Sequence, residues 1–252
     1  SYNETREATI GAIEAKITEA FPELDVRRAF TSQTIIDKLE KRDGLKIDNV
    51  TEAMDRLVAD GVKKVAIQPT HVMSGKEYDE MKAAAAPYED KFDKIAYGVP
   101  LLTSEEDYKK IAEILAADTA EYNTDGTAIV FMGHGTKHAA NSAYQKLADV
   151  FKAEGKNNYF VGTVEAEPSL DDVMAGVEKI GAKKVVLLPL MIVAGDHATK
   201  DMSGDTEDSW KTKFKAEGYD VQCVLKGLGE YKDIQELFVE HAKAAVNEME
   251  GK

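Results

Sequence analysis

The sequence predicts an α/β protein made of two similar halves, each a parallel sheet flanked by helices, with a cleft between the halves. Helical and strand patterns alternate along all 252 residues, which is typical of parallel sheets. Residues 61–75 (GVKKVAIQPTHVMSG) and 181–195 (GAKKVVLLPLMIVAG) repeat one pattern, an apolar strand that ends at a proline and a loop that closes at a glycine. The polar, turn-rich segment 123–126 (NTDG) separates the repeats. We therefore expect one half over residues 1–122 and the other over residues 127–252.

The individual elements follow from hydrophobic spacing and turn residues. Apolar residues at helical spacing predict helices over residues 3–21, 32–41, 49–59, 76–86, 105–122, 139–153, 170–180, 203–217 and 234–249. Short apolar runs predict strands over residues 25–31, 64–68, 94–98, 127–132, 159–164, 184–188 and 220–225. The second half begins with a strand, whereas the first begins at a helix. The repeat therefore predicts a further strand ahead of Ser1.

The composition restricts the class of partner and the compartment. The chain carries 46 Asp and Glu against 32 Lys and Arg, a net charge of −14. This balance argues against a nucleic-acid surface, which needs clustered basic residues. No apolar run approaches the roughly 18–20 residues of a membrane span, so no membrane partner is expected. The single cysteine, Cys223, fits a reducing compartment. We therefore expect the protein to be cytoplasmic, and a periplasmic location stays open if a signal peptide was removed. Assembly into a homo-oligomer also stays open.

Three polar residues follow predicted parallel strands of the second half. His134 lies in FMGHGT, Glu165 in GTVEAEP and His197 in IVAGDHATKDM. Because the carboxyl ends of parallel strands meet at one edge of a sheet, where α/β proteins bind ligands, we expect these side chains to converge. Two imidazoles that share a metal should lie within about 8 Å of each other, given metal–nitrogen bonds of about 2.0–2.1 Å. The glycines on either side of His134 should leave its ring open to a ligand.

This residue set leaves more than one chemistry open. Two imidazoles and a carboxylate suit a borderline divalent metal such as Co²⁺, Zn²⁺ or Fe²⁺. Neutral imidazoles also accept protons at about pH 7, so an acid–base site fits as well, and three unrelated loop residues are the remaining alternative. Nucleotide binding is not expected, because Gly-His-Gly-Thr lacks both phosphate-loop spacings. The sequence also has no G-x-S-x-G nucleophile elbow.

The linked motifs resemble those of one enzyme family. FMGHGT, GTVEAEP and LPLMIVAGDHATKDM, with SYNETRE and QPTHVMSGKEYDEM in the first half, resemble the sirohydrochlorin cobaltochelatases, the anaerobic cobalt chelatases of cobalamin synthesis. Nearly the whole chain is covered. These are class II chelatases, which need no ATP and are similar in fold to protoporphyrin ferrochelatase. The resemblance implies insertion of Co²⁺ into sirohydrochlorin, with the metal bound by His134, Glu165 and His197 and protons accepted by the two histidines. The family's opening strand, with its Phe-Gly-Thr turn, has no counterpart in this sequence.

The resemblance also implies contacts with the tetrapyrrole substrate. The candidates lie in or beside the loops that carry these motifs: Tyr2, Arg6, His71, Met73, Glu77, Met132 and Met191. Core packing is the alternative for each methionine. Sirohydrochlorin carries many carboxylates, so basic residues near the loops should offset the acidic net charge: Arg6, Lys76, Lys137 and Lys200. Two other functions stay open, namely insertion of iron or nickel into a related ring and binding of a tetrapyrrole or metal without turnover.

Overall fold

A computed structural model describes residues 2–252, with side chains from Glu4 onward. Helices α1–α10 run over Tyr2–Arg6, Ala12–Ala20, Gln33–Asp43, Val50–Ala59, Lys76–Ala85, Glu105–Asp118, Ser142–Ala153, Leu170–Lys179, Trp210–Ala216 and Lys232–Glu250. Strands β1–β6 run over Lys64–Ile67, Lys94–Tyr97, Thr127–Gly133, Tyr159–Thr163, Lys184–Pro189 and Asp220–Cys223. Short 3₁₀ turns cover Ala86–Tyr88, Ala139–Asn141 and Leu228–Glu230, and π turns cover Glu7–Gly11 and Ala198–Met202. Parallel strands flanked by helices confirm the predicted α/β class.

The described chain packs as two compact units. The four-stranded unit comprises residues 2–12 and Leu102–Gln235, and the two-stranded unit comprises Ile13–Leu101 and Glu236–Lys252. These units differ from the halves 1–122 and 127–252 at three places: residues 2–12 and helix α6 belong to the four-stranded unit, and most of α10 belongs to the two-stranded unit. Helix α6 packs on α7 in the four-stranded unit. The end of α10 belongs to the core of the two-stranded unit, which includes Phe21, Ala96, Ala242, Val246 and Met249. A cleft between the two halves stays a prediction.

The four-stranded unit contains a fully parallel sheet in the order β4-β3-β5-β6. Every residue of β3 is buried, as expected for a central strand that helices cover on both faces. Val130 and Leu187 belong to a core cluster with Val177, Trp210 and Phe214 from helices α8 and α9. Because β4, β3 and β5 are adjacent and parallel, their carboxyl ends form one continuous edge of this sheet.

The two-stranded unit contains the parallel pair β1 and β2, with Lys64 opposite Lys94. The strand predicted over residues 25–31 is wrong, because this segment is irregular and makes one isolated bridge, from Phe30 to Asn49. Asp25, Arg27 and Arg28 are charged, and Arg27 pairs with Asp25 and Arg28 with Glu14. Arg28 falls on the face that Val26 and Phe30 would share in a strand, so this face is not continuously apolar and the segment does not join a sheet.

The two units share the local structure that the sequence repeat predicts. Helices α4 and α8 both begin with a capping box, at Asn49 and at Ser169, which are 120 positions apart in the sequence. Both end at a glycine with positive φ, 72° at Gly61 and 69° at Gly181, and the next amide donates to the carbonyl five residues back. The strand after each glycine then pairs in parallel with a later strand, β1 with β2 and β5 with β6. The repeat therefore covers a helix, a strand and its neighbour.

The helix predicted over residues 203–217 begins seven positions later, at Trp210. Ser209 caps it by accepting a hydrogen bond from the Thr212 amide, and Trp210 and Phe214, one helical turn apart, are both buried. Residues 205–208 are acidic or polar and exposed, so they have no apolar face to pack and stay in a turn. Across residues 2–252, none of the helices combines the length and the apolar character that crossing a bilayer requires.

Candidate metal centre

Two histidine rings meet at the carboxyl edge of the four-stranded sheet. His134 directly follows β3, and His197 follows the loop after β5. Their ring centroids are 4.2 Å apart and the ring planes make an angle of 77°. The strands pair in register as far as Met132 and Pro189, so both loops leave the sheet at the same level. This centroid separation lies within the limit of about 8 Å that applies to two imidazoles sharing one ion.

Glu165 reaches the same edge from the other neighbour of β3. The pairing of β3 with β4 continues beyond the strands, because the Val164 amide donates to the Gly133 carbonyl and the Glu165 amide to the His134 carbonyl, each at 3.0 Å. The Glu165 carboxylate then lies with its Oε1 3.7 Å from Nε2 of His134. The backbone thus places the acidic residue beside the first histidine.

The glycines on either side of His134 allow close packing within the protein. A Cβ at Gly133 would overlap the ring of Tyr144, and a Cβ at Gly135 would lie 2.9 Å from the Ala166 amide and 3.0 Å from Thr163 Cβ. Gly135 also has a φ of 86°, a conformation that residues with a side chain rarely adopt. Gly135 thus lets the His134 loop lie directly on the Glu165 loop, and Gly133 makes room for Tyr144. That the glycines also leave the His134 ring open to a ligand stays a prediction.

Hydrogen bonds at Nδ1 orient both rings in the same way. His134 Nδ1 lies 2.9 Å from the Gly135 carbonyl oxygen, and His197 Nδ1 lies 2.6 Å from Asp201 Oδ2. A carbonyl and a carboxylate only accept, so in each neutral ring Nδ1 carries the hydrogen and Nε2 keeps the lone pair. This arrangement, a histidine with one nitrogen bound to an acceptor and the other available, is typical of metal ligands.

Asp201 was not among the predicted site residues. It follows His197 by four positions in the π turn, so its carboxylate returns to the ring that precedes the turn. The motif G-D-H-A-T-K-D-M contains this histidine–aspartate spacing, which could have indicated the pair. Asn141 was missed as well, and its side chain joins the loops that carry His134 and Glu165.

The three polar side chains are open to solvent. The exposed fractions are 45% for His134, 58% for Glu165 and 39% for His197. Among the described residues, no group of three or more His, Cys, Asp or Glu side chains has an arrangement that could already hold a metal ion. A loose set of three accessible groups can take up an ion, leave part of its coordination sphere to a second reactant and release it, whereas a closed site of four ligands holds its ion.

The residues predicted to contact a tetrapyrrole have different environments. Met132 is completely buried in the core of the four-stranded unit, so its expected contact with a ligand was wrong and its role is packing. Met191 packs partly against the same core, and Arg6 is largely buried beside Glu7. The Tyr2 side chain lies outside the described residues. None of these environments identifies a ligand.

The candidates of the two-stranded unit follow β1. Met73 is half-buried, and Glu77 is exposed in the first turn of α5. His71 Nε2 lies 3.3 Å from Thr31 Oγ1, and within the described residues its Nδ1 is buried with no hydrogen-bond partner. Burial lowers the pKa of the His71 imidazole, against an opposing effect of the Glu77 charge. Burial thus favours the neutral form of the His71 ring.

Solved structures place the fold among chelatases. The chain is similar to SirB from Bacillus subtilis, solved with Fe³⁺, with a TM-score of 0.66 and 15% identity over 100% of this chain and 93% of that one. It is also similar to the multi-domain protein DR2241 from Deinococcus radiodurans, itself described as structurally similar to chelatases, with a TM-score of 0.54 and 15% identity over 84% of this chain and 50% of that one. At this identity the likeness concerns the fold alone.

Sequence comparison then gives the family. Residues 1–247 match the family model described as cobalt chelatase (CbiK). A sirohydrochlorin cobaltochelatase of Salmonella typhimurium is 39% identical over 98% of this chain and 93% of its own length. The sirohydrochlorin cobaltochelatase CbiKC of Nitratidesulfovibrio vulgaris is 33% identical over 99% of this chain and 89% of its own length. The chain belongs to the cobalt chelatase (CbiK) family.

Proposed function

We propose that this protein inserts Co²⁺ into sirohydrochlorin. The observation that carries the proposal is the pair of imidazoles 4.2 Å apart, with the Glu165 carboxylate 3.7 Å from His134, on the sheet edge of a member of this family. The two relatives that cover almost the whole chain are both named for this reaction. Co²⁺ and sirohydrochlorin are the substrates in this proposal.

His134, Glu165 and His197 would hold the incoming ion. Imidazole nitrogen and carboxylate oxygen suit a borderline divalent cation such as Co²⁺. The carboxylate adds a negative charge that attracts the cation. Because only three protein groups take part, the remaining positions of the ion stay open to the pyrrole nitrogens of the ring.

Insertion also requires proton removal. Two pyrrole N–H groups lose their protons while four ring nitrogens replace the protein ligands and water around the metal. A neutral imidazole accepts a proton at Nε2 once that nitrogen has given up the ion, so His134 and His197 can serve first as ligands and then as bases. Asp201, bound to Nδ1 of His197, would stabilise the charged ring that results.

The proposal needs neither ATP nor a resident cofactor, since the products are the metallated ring and two protons. We also propose the cytoplasm as its compartment, for which the single cysteine is the support.

The test measures metal insertion by absorbance with purified protein, anaerobic sirohydrochlorin and Co²⁺. His134→Ala and His197→Ala should each lower the turnover number by about 10²–10⁴-fold, the usual effect of a lost acid–base group. His138→Ala is the matched control, because it removes another imidazole from the same loop. The Nδ1 of His138 accepts a hydrogen bond from the Ala140 amide. This variant should keep the parent rate.

Parallel assays with Fe²⁺ and Ni²⁺ separate the alternatives. Faster insertion of either metal than of Co²⁺ would reassign the substrate. Binding of sirohydrochlorin with no insertion above the uncatalysed rate would indicate a binding protein instead. An unchanged rate in His134→Ala would remove this residue from the mechanism.

A further inference from the structure

The side chain of Asn141 joins two loops at the candidate metal centre. Its Oδ1 accepts a hydrogen bond from the Thr136 amide at 3.0 Å, and its Nδ2 donates to the Glu167 carbonyl at 2.6 Å. Thr136 lies two positions after His134, and Glu167 lies two positions after Glu165. One amide group therefore bridges the loop that carries the first histidine and the loop that carries the acid.

The helix that follows does not explain this arrangement. Asn141 occupies the position before Ser142, where α7 begins, and an asparagine at such a position commonly caps its own helix. Here it has helical backbone angles, and its side chain makes no capping hydrogen bond to α7. The side chain turns toward the loops instead, and hydrogen bonds to backbone groups beside two site residues.

The chemistry of the bridge requires an amide. The Thr136 N–H can only donate and the Glu167 carbonyl can only accept, so the bridging group must offer one acceptor and one donor. An aspartate has the same shape but would place a carboxylate oxygen against the Glu167 carbonyl oxygen. An alanine would remove both bonds.

The bridge and the backbone hold the two loops from opposite sides. On the strand side, the Glu165 amide donates to the His134 carbonyl, and the Asn141 bridge lies two residues further along each loop. The two loops are therefore linked both at His134 and Glu165 and two residues beyond them. Without the bridge, one end opens and the 3.7 Å separation of the two side chains is no longer fixed.

We infer that Asn141 is a positioning residue for metal capture, which sets the distance between His134 and Glu165 and has no contact with either substrate. The inference rests on the proposed function of this site. Supporting groups around metal ligands commonly change metal affinity by about 10–100-fold when they are removed.

Asn158 provides a matched control at the opposite edge of the same sheet. Its Nδ2 donates to Asn123 Oδ1 at 2.7 Å and to the Thr127 carbonyl at 2.9 Å. It is also an asparagine whose amide holds two neighbouring segments together, but it joins the loop before β4 to the loop before β3 and to the first residue of β3. Asn158→Asp therefore makes the same isosteric change and the same loss of a donor far from the metal residues.

The experiment compares the parent with Asn141→Asp, Asn141→Ala and Asn158→Asp. Co²⁺ alone is titrated into each full-length protein and followed by its visible absorption. Insertion kinetics then give separate KM values for Co²⁺ and for sirohydrochlorin. We expect both Asn141 variants to bind Co²⁺ about 10-fold more weakly and to show a raised KM for the metal, with an unchanged KM for sirohydrochlorin. Asn158→Asp should match the parent in all three quantities.

Each outcome decides the question. Parent-like Co²⁺ affinity in both Asn141 variants would overturn the inference while the parent's activity upholds the proposed function. An equal loss of affinity in Asn158→Asp would overturn it too, because the effect would then be general destabilisation. A parent protein that neither binds nor inserts Co²⁺ would refute both. If Asn141→Asp does not fold, Asn141→Ala, which places no charge beside the carbonyl, decides alone.

Discussion

Gly135→Ala should disrupt the metal centre by a steric effect that can be worked out from the structure. The glycine has a φ of 86°, which costs a residue with a Cβ about 1–2 kcal/mol. The new Cβ would also lie 2.9 Å from the Ala166 amide and 3.0 Å from Thr163 Cβ. Overpacking of this kind costs about 1–3 kcal/mol. We therefore expect a loss of roughly 2–5 kcal/mol in the free energy of unfolding, from both effects together.

Gly155→Ala separates the two effects. Gly155 has a φ of 74° in the same unit, and nothing lies within 4 Å of the Cβ it would gain. This variant should lose only the strain component, about 1–2 kcal/mol. Denaturant unfolding of both variants measures the difference, which is the cost of the contact between the His134 loop and the Glu165 loop.

The same pair of variants tests the geometry of the site. Relief of the clash at Gly135 moves Ala166, and with it the neighbouring Glu165, away from His134. Co²⁺ affinity should therefore fall in Gly135→Ala and stay at the parent value in Gly155→Ala. Equal losses of stability in the two variants, together with parent-like Co²⁺ affinity in Gly135→Ala, would refute the reasoning that loop packing positions the acid.

Three further predictions concern single side chains. Asp201→Ala should weaken Co²⁺ binding about 10-fold or more, because the His197 ring loses the acceptor that orients it; unchanged affinity in a Co²⁺ titration would contradict this. Glu165→Gln keeps the shape but loses the charge, so steady-state kinetics should show a raised KM for Co²⁺ and an unchanged KM for sirohydrochlorin, and a parent-like metal KM would count against the role. Burial lowers the pKa of His71 in the folded protein, so the unfolded chain, with a histidine pKa of about 6.5, takes up the proton first. The folded state should therefore lose stability as the pH falls from about 6.5 toward the folded pKa, and unfolding measured across this range should show a flatter profile for His71→Gln.

The position of the candidate metal centre could be predicted because the order of parallel strands dictates which loops meet. β3 and β5 are continuous apolar runs, so they were recognisable as buried neighbours, and the residues that follow them had to meet at one edge. This rule alone predicts that His134 and His197 meet. Glu165 followed by the same rule from β4. The glycines beside His134 were also recognisable, but their packing role was not, because the ring of Tyr144 and the Ala166 amide come from later in the chain.

The features that the sequence did not reveal depend on tertiary packing. Residues 25–31 have apolar residues that suit a strand, but their charged neighbours form surface ion pairs. The amphipathic patterns of α6 and of the last helix predict helices correctly, yet an apolar face does not specify which unit it covers. Asn141 fell inside the helix predicted over residues 139–153, and only the folded loops show that its amide faces Thr136 and the Glu167 carbonyl.

The repeat separates the scaffold from the chemistry. Its two copies share the capped helix, the glycine turn, the parallel strand pair and the glycine that closes the loop, so these features cannot by themselves produce the metal centre. The copies diverge directly after that glycine. In the second copy, His197 and Asp201 lie on a π turn and bind each other. The positions 120 residues earlier are Glu77 and Met81, on a regular α-helix in which Met81 is buried. In the first copy the regular helix buries Met81, the residue four positions after Glu77. In the second copy the π turn keeps Asp201 beside His197. The histidine pair therefore depends on how this one loop leaves a strand that both copies possess.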